Sequence, residues 1–188
     1  MTNPPIGARS LLAGLVVGLA ALTGCGETPP SEATSAGEAD VAFAQQMIPH
    51  HEGALVMSEM VLERAADPRV RDLAERIEAG QRPEIDLLTG WLTEWGAEPA
   101  DGGMAMEHGE HRDGAGADPD LLAEADAAAF DRMWLEAMIA HHQGAVEMAE
   151  AEVADGRDRE AVDLARGIAE TQRAEIEEMR QLLADLGG

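Results

Sequence analysis

Two copies of one stretch decide the fold: Met47-Ile48-Pro49-His50-His51-Glu52-Gly53-Ala54-Leu55-Val56-Met57 and Met138-Ile139-Ala140-His141-His142-Gln143-Gly144-Ala145-Val146-Glu147-Met148. Around these stretches, residues 40–97 align without a gap onto residues 131–188. A gapless internal repeat of this length indicates that one supersecondary unit was duplicated. Four of the six histidines in the 188-residue chain lie in the two stretches. Side chains that can bind a metal are therefore concentrated there.

Each copy has the hydrophobic period of two consecutive helices. Apolar residues recur at helical spacing from Phe43 to Val61 and again from Val70 to Trp95. Between the two helices, Asp67-Pro68 offers an N-cap followed by proline at the first helical position, and Asp155-Gly156 followed by Asp158 supplies a stop and a new cap in the second copy. The sequence therefore predicts an all-α four-helix bundle built from two duplicated helical hairpins, residues 40–97 and 120–188.

The N-terminal residues have the form of an export signal. An apolar run follows Arg9 and ends in the tetrapeptide Leu22-Thr23-Gly24-Cys25. This pattern resembles a bacterial lipoprotein signal, in which Cys25 becomes lipidated and N-terminal. An ordinary secretory signal with an incidental cysteine is the alternative. We predict a signal peptide at 1–25, a flexible Pro- and Ser-rich tether at 26–39, and a protein that is lipid-anchored to the outer face of the cell membrane.

The charge of the chain limits the partners that we expect. The formal net charge is −24 and the sequence contains no lysine. A surface of this kind repels nucleic acid and anionic membrane surfaces and attracts cations. We therefore expect a metal ion as ligand, a membrane contact only through the lipid on Cys25, and no nucleic-acid partner.

The histidine pairs are predicted to face the interior of the bundle. At about 100° per residue, His50 and His51 fall about 60° to one side and about 40° to the other side of Met47. Met47 lies one helical turn earlier, so its thioether can share a ligand shell with either imidazole. The candidate ligands on this basis are Met47, His50, His51, Met138, His141 and His142.

The second helix of each copy brings polar groups to the same level. Glu84 and Gln81 fall in its apolar stripe, and Glu175 and Gln172 repeat the pattern. A carboxylate that faces a core is costly unless it is paired or coordinates an ion. Mirroring each hairpin about its turn places Glu84 level with His50 and predicts one slice that contains the histidines, glutamates, glutamines and two methionines. The four Glu and Gln side chains are candidates to support or join a metal site.

Three interpretations of this layer remain open. Imidazole with thioether suits copper, particularly Cu(I) outside the cell. Imidazole with carboxylate suits zinc, iron or manganese, although the Glu-x-x-His pattern of di-iron bundles is missing. A hydrogen-bonded polar layer that only fixes helix register is the third.

The linker at 98–119 carries a further group of soft ligands. It contains Met104, Met106, His108 and His111 in Gly-rich, acidic surroundings. This composition fits a segment that captures metal ions, and equally an ordinary acidic loop.

The repeated Met-Ile-x-His-His-x-Gly-Ala-x-x-Met motif, each copy followed by Gln-Arg-x-Glu-Ile, resembles the bacterial domain-of-unknown-function family 305. The resemblance covers about residues 40–188. It implies a ferritin-like four-helix bundle outside the cytoplasm, with some members linked to copper binding and copper tolerance. It also marks Met57 and Met148 as ligands beside the six named above. Gln143 in place of Glu52, and Ala140 in place of Pro49, predict that the two sites are not equivalent.

These observations together predict a copper-binding lipoprotein outside the cytoplasm that sequesters copper or hands it over. Constellations typical of nucleophilic or phosphate-binding enzymes are not visible in the sequence. A redox metalloenzyme that uses a His/Glu site, and a metal-free structural lipoprotein, are the alternatives. A second copy of the chain or a copper-transfer protein are the protein partners left open.

Overall fold

The computed structural model describes residues 36–99 and 127–187, and the side chains from residue 129 onward in the second range. These residues form four long helices: α1 Glu38–Arg64, α2 Pro68–Trp95, α3 Ala127–Asp155 and α4 Arg159–Leu186. The predicted all-α bundle of two hairpins is confirmed, and α1 begins slightly earlier than the predicted start at residue 40. The predicted signal peptide with Cys25, most of the tether and the linker segment with Met104, Met106, His108 and His111 lie outside the described residues. None of the described helices is long and apolar enough to span a membrane.

Both hairpin turns are short and are closed by the predicted aspartate caps. The Asp67 side chain accepts a hydrogen bond from the backbone N–H of Arg69 at 2.8 Å, and Pro68 occupies the first helical position. In the second hairpin, the Asp158 side chain accepts from the N–H groups of Glu160 and Ala161. These bonds satisfy N–H groups that a helix N-terminus otherwise leaves without partners.

The two hairpins hold each other by a reciprocal contact. Buried Asp131, near the start of α3, accepts the backbone N–H groups of Ala66 and Asp67 in the first turn, the latter at 2.7 Å. Buried Asp40, near the start of α1, accepts the N–H groups of Arg157 and Asp158 in the second turn at 2.9 and 2.8 Å. Asp40 and Asp131 occupy the same position in the two copies. The duplication in sequence is therefore an approximate two-fold relation in the structure, with α1 and α3 antiparallel.

The core is divided into two apolar clusters by a layer of polar residues. α1 packs against α2, α3 against α4, and α1 against α3. What we call the Trp134 cluster takes the C-terminal half of α1 and the N-terminal half of α3, and includes Val61, Leu73, Phe130, Trp134, Met138 and Met179. The Trp91 cluster takes the opposite halves and includes Phe43, Met47, Leu88, Trp91, Ala149 and Ile168. On every helix, the residues between the two clusters are the predicted His, Glu and Gln side chains. We call this level the histidine layer.

Candidate metal centre

Two histidine–glutamate pairs form the outer part of the histidine layer. His51 Nε2 on α1 lies 2.7 Å from Glu84 Oε2 on α2, and His142 Nε2 on α3 lies 2.7 Å from Glu175 Oε2 on α4. Both imidazoles are completely buried, whereas the side chains of Glu84 and Glu175 are 26% and 13% exposed. The sequence placed each glutamate level with the first histidine of its pair. The structure joins it to the second, which is the histidine that α1 or α3 turns toward its own hairpin partner.

The first histidine of each pair lies between the two hairpins. The His50 and His141 rings meet with their centroids 3.8 Å apart and their planes inclined by 42°. His50 Nε2 lies 3.2 Å from the place that a Cβ atom on Gly144 would occupy, and His141 Nε2 lies 3.4 Å from the place of one on Gly53. The small residues that follow the histidines in the repeated motif therefore give each ring room against the opposite helix.

All four histidines have a buried Nδ1 atom with no hydrogen-bond partner. A neutral imidazole has one N–H donor and one nitrogen lone pair. When Nε2 of His51 or His142 donates to its glutamate, the lone pair is on Nδ1. A buried polar atom without a partner normally costs free energy, unless something else occupies the position beside it. In metal sites, a carboxylate commonly accepts the other N–H of a ligating histidine and fixes its tautomer. The two pairs match that arrangement.

His50 and His141, which lie between the two hairpins, are kept neutral by their surroundings. Burial lowers the pKa of His50 to about 2, assisted by the nearby His141, His51 and His142. Burial also lowers the pKa of His141 to about 4, with His142 and His51 adding to the effect. A neutral imidazole is the form that binds metals. These rings are therefore competent ligands at neutral and mildly acidic pH.

Gln81 on α2 and Gln172 on α4 add two amide groups to the histidine layer. Gln81 and Gln172 are almost fully buried. Neither the oxygen nor the nitrogen of the Gln81 amide has a hydrogen-bond partner, and the Gln172 oxygen has none. Together with Glu84 and Glu175 they line a narrow cleft between α2 and α4.

The methionines are distributed differently from the prediction of a single slice. Met47 and Met138 are completely buried, but Met47 belongs to the Trp91 cluster and Met138 to the Trp134 cluster, on opposite sides of the histidine layer. Met57 packs against the cluster of Met138, and Met148 packs against the cluster of Met47. The prediction of one shared level was wrong for the thioethers because α1 and α3 run antiparallel. Of these four methionines, each side of the layer receives one from each copy.

Within residues 36–99 and 127–187, no three His, Cys, Asp or Glu side chains are grouped closely enough to hold a metal ion by themselves. The layer consists instead of pairs: two His–Glu pairs and one His–His pair, with thioethers above and below. The donors that fit are neutral imidazole nitrogens and thioether sulfurs, which suit a soft or borderline ion.

A feature that we did not predict lies at one end of the bundle. Glu152 on α3 is only 2% exposed and stands beside the buried Asp40. Burial, followed by the hydrogen bond with Asp40 and the charges of Asp40 and Asp158, raises the pKa of Glu152 to about 8. Glu152 replaces Val61 of the first copy, and that replacement of an apolar repeat position by a carboxyl group was the available signal in the sequence.

Comparison with known proteins identifies the family. The sequence profile of the family described as "Domain of unknown function (DUF305)" matches residues 40–183. The chain belongs to the DUF305 family. The match covers both hairpins and the linker between them, as the resemblance of the repeated motif indicated.

Solved structures of proteins with similar sequences have the same fold. A DUF305 fragment from Deinococcus radiodurans is 33% identical, with a TM-score of 0.71 over 80% of this chain and 98% of the other. A Streptomyces coelicolor DUF305 protein, described as a candidate secreted protein, is 32% identical, with a TM-score of 0.70 over 80% and 94%. CopM in its Cu(II)-bound form is 35% identical, with a TM-score of 0.68 over 78% and 96%. CopM has also been solved in Cu(I)-bound and Ag-bound forms.

One curated relative matches over a short stretch. An uncharacterised protein of Acanthamoeba polyphaga mimivirus is 38% identical over 55 residues, which are 29% of this chain and 36% of that protein. This match spans about a third of the relative and adds no argument about function.

Proposed function

We propose that this protein binds copper outside the cytoplasm and either sequesters it or hands it over. The observation that supports this most strongly is the histidine layer, in which four imidazoles have buried Nδ1 atoms without partners and two of the rings are paired with glutamates at 2.7 Å. The structural neighbour CopM, which is 35% identical, has been solved with Cu(II) and with Cu(I). A strongly acidic chain without lysine also favours a cationic ligand.

His51 and His142 would hold the ion, with His50 and His141 between them. Met47, Met138, Met57 and Met148 would supply thioether sulfur on the two sides of the layer. Imidazole with thioether is a donor set that accommodates both oxidation states of copper and particularly Cu(I). Glu84 and Glu175 would orient the buried rings and make their lone pairs more basic, as carboxylate partners do for metal-binding histidines.

The His51–Glu84 and His142–Glu175 hydrogen bonds favour a copper-binding role over redox catalysis by a carboxylate-bridged pair of iron ions. Glu84 and Glu175 each have one oxygen engaged by a histidine. Bridging carboxylates of di-iron bundles stand instead in Glu-x-x-His motifs, which this chain lacks. Zinc or iron bound by the His and Glu side chains is the second candidate, and metal analysis distinguishes it from copper.

Membrane attachment through Cys25 remains part of the proposal, with a copper-transfer protein or a second copy of the chain as partner. It is supported by the lipoprotein-like sequence Leu22-Thr23-Gly24-Cys25 and by the candidate secreted neighbour from Streptomyces coelicolor. The linker residues Met104, Met106, His108 and His111 are proposed as a segment that captures the ion first. Labelling with a radioactive fatty acid, with and without Cys25→Ser, tests the anchor.

The binding site is tested by changing both His51 and His142 to glutamine, which retains an N–H donor for each glutamate. We expect the Cu(I) affinity to fall at least about 100-fold, with the helical circular dichroism unchanged. Changing Glu84 and Glu175 to glutamine should cost about tenfold, because the histidines lose a charged partner.

Glu52→Gln is the matched control. Glu52 is exposed beside His51, and the second copy already has Gln143 there. Its Cu(I) affinity should equal that of the unchanged protein. Undiminished binding in the double histidine variant would contradict the proposed site and move the chemistry to the linker. A melting temperature that copper does not raise would favour the metal-free structural role.

A further inference from the structure

We propose that the cleft between α2 and α4 is the route by which copper reaches and leaves the histidine layer. This inference rests on the proposed function and adds the path of the ion and the residues that form it. The cleft has a volume of about 30 Å³, and its lining includes Gly80, Gln81 and Glu84 of α2 and Thr171, Gln172 and Glu175 of α4. A cavity needs roughly 10–15 Å³ to hold one water molecule. The cleft therefore has room for an ion that has lost most of its hydration shell.

Exposure decreases in steps from the cleft to the buried rings. Gly80 and Thr171 are at the surface, and the side chains of Glu84 and Glu175 are 26% and 13% exposed. The imidazoles to which these carboxylates are joined are completely buried. Each glutamate thus contacts solvent on one side and a candidate ligand on the other. An ion that enters along the carboxylates arrives directly at His51 or His142.

The cleft walls also contain polar atoms that nothing in the protein satisfies. The Gln81 amide, 4% exposed, has no partner for its oxygen or nitrogen, and the Gln172 oxygen, with the residue 2% exposed, has none. Both side chains line the cleft. Buried amides without partners are uncommon and costly. Here they fit a passage in which water or an ion supplies the missing contacts.

The opposite face of the layer is occupied by side chains. Between α1 and α3, the His50 and His141 rings are in contact, and their Nε2 atoms lie only 3.2 and 3.4 Å from the Cβ positions of Gly144 and Gly53. The pairs α1–α2 and α3–α4 pack along their lengths as hairpins. On the α2–α4 face, by contrast, the described residues leave an open cleft at the level of the histidines.

Ion pairs connect α2 and α4 beyond one end of the cleft. Arg76 bonds to Glu178 at 2.5 Å and Arg69 to Asp185 at 2.7 Å, both across the seam beside the Trp134 cluster. These arginines are neutralised by their partners, whereas Glu84 and Glu175 present negative charge at the cleft itself. The local field therefore attracts a cation to the cleft.

Gly80 allows the route to be blocked without changing any proposed ligand. A Cβ atom on Gly80 would meet nothing within 4 Å, and the residue is exposed in a helix. Leucine there is sterically tolerated, favours the helix, and covers the cleft that Gly80 lines. Gly90 is the matched control, because it lies on the same helix, is exposed, has equally open space and is outside the cleft.

The experiment measures Cu(I) exchange and Cu(I) affinity separately, under reducing and oxygen-free conditions. The full chain loaded with Cu(I) is mixed with excess bathocuproine disulfonate, a chelator too large for the cleft, and release is followed by absorbance. For Gly80→Leu we expect loading and release to slow by at least about tenfold, with a dissociation constant within about twofold of the unchanged protein, since a barrier on the path alters both rates equally. Gly90→Leu should exchange like the unchanged protein.

Each remaining outcome overturns a specific claim. If Gly80→Leu exchanges as fast as Gly90→Leu, the ion uses another path, and the proposed function is unaffected. A second outcome would also reject the route. If Gly80→Leu releases Cu(I) as fast as the unchanged protein but has a different dissociation constant, the substitution acts at the binding site. If the unchanged protein binds no Cu(I) at equilibrium, the proposed function itself fails and the route fails with it. Thr171→Leu, from the opposite wall of the cleft, should reproduce the slow exchange of Gly80→Leu.

Discussion

The two hairpins are the same at the positions that form the bundle and its centre, and different at positions around one end and one face. Asp40 and Asp131 receive the turn of the other hairpin in the same way, and the His51–Glu84 pair has its counterpart in His142–Glu175 at the same 2.7 Å. Where the first copy has Val61, Ala65 and Gly80, the second has Glu152, Gly156 and Thr171. The shared residues determine how the halves pack, and the differing ones make the two ends of the bundle electrostatically unequal.

The unequal ends are clearest around the two buried aspartates. Asp40 has Glu152 beside it, whereas in the first copy, whose turn contacts Asp131, the position equivalent to Glu152 is the apolar Val61. As two carboxylates, Asp40 and Glu152 would have no hydrogen-bond donor between them, and a proton on Glu152 supplies one. Burial opposes a low pKa for Asp40, yet its hydrogen bonds with Glu152 and with the N–H groups of Gly37, Asp158 and Arg157 lower its pKa. Glu152 is therefore the group that carries the proton.

The largest effect on stability is expected from Asp131→Ala. The substitution leaves the backbone N–H groups of Ala66 and Asp67 without their charged acceptor, and should lower the free energy of unfolding by about 2–4 kcal/mol in urea denaturation. Asp131→Asn retains an acceptor oxygen and should cost less. Asp40→Ala at pH 9 should cost less than Asp131→Ala, because it also removes a carboxylate from beside ionised Glu152. Equal losses at the two ends would contradict this account of the asymmetry.

The second largest effect is expected at the hairpin turns, where Gly156 of the second turn occupies the position of Ala65 in the first. A Cβ atom on Gly156 would lie 2.3 Å from Glu152 Oε1 and 2.6 Å from the Glu152 carbonyl oxygen, and the backbone atom cannot move aside easily. Gly156→Ala should therefore lower the free energy of unfolding by about 2–3 kcal/mol. The reverse change in the first turn, Ala65→Gly, should cost only about 0.5–1 kcal/mol through backbone entropy. Thermal melting of both variants measures the two losses. A loss of stability for Gly156→Ala as small as that for Ala65→Gly would show that the Glu152 carboxyl group is not held against the turn.

A pH dependence should follow from Glu152. Because its pKa is raised from 4.5 to about 8 on folding, the folded state holds a proton that the unfolded state releases. The resulting stabilisation is complete below about pH 4.5 and is lost as the pH rises through 8. Glu152→Gln keeps a donor toward Asp40 but does not titrate. The melting temperature of this variant, measured relative to that of the unchanged protein, should rise by about 8 °C or more between pH 5 and pH 9. A difference that stays constant over this range would contradict the shared proton.

The smallest effect is expected for the ion pairs across α2 and α4. Arg76 pairs with Glu178, whereas the corresponding positions of the other copy are Gly167 and Leu87, which cannot form an ion pair. Both charged side chains are largely exposed, so Arg76→Ala should change the free energy of unfolding by less than about 1 kcal/mol, and less still in high salt. A larger loss would mean that this pair, rather than the buried aspartates, holds the hairpins together.

Much of the candidate centre could be predicted from one chain because helical periodicity relates sequence to orientation. The spacing placed His51 and His142 toward the interior, and Glu84 and Glu175 in an apolar stripe that required a partner. The spacing could not assign His50 to His141, because that contact depends on how α1 and α3 approach each other. It also placed Met47 and Met138 in one slice, whereas antiparallel packing puts them on opposite sides of the histidine layer.

The sequence by itself determined the four helices, their caps at Asp67 and Asp158, and the equivalence of the two copies, because these depend on local spacing and on residues a few positions apart. Only the tertiary structure decided which histidine meets a glutamate and which meets another histidine, and that Asp40 and Glu152 share one buried corner. Those contacts depend on the rotation and direction of one helix relative to another. Packing of the whole bundle sets both quantities, and no local pattern encodes them.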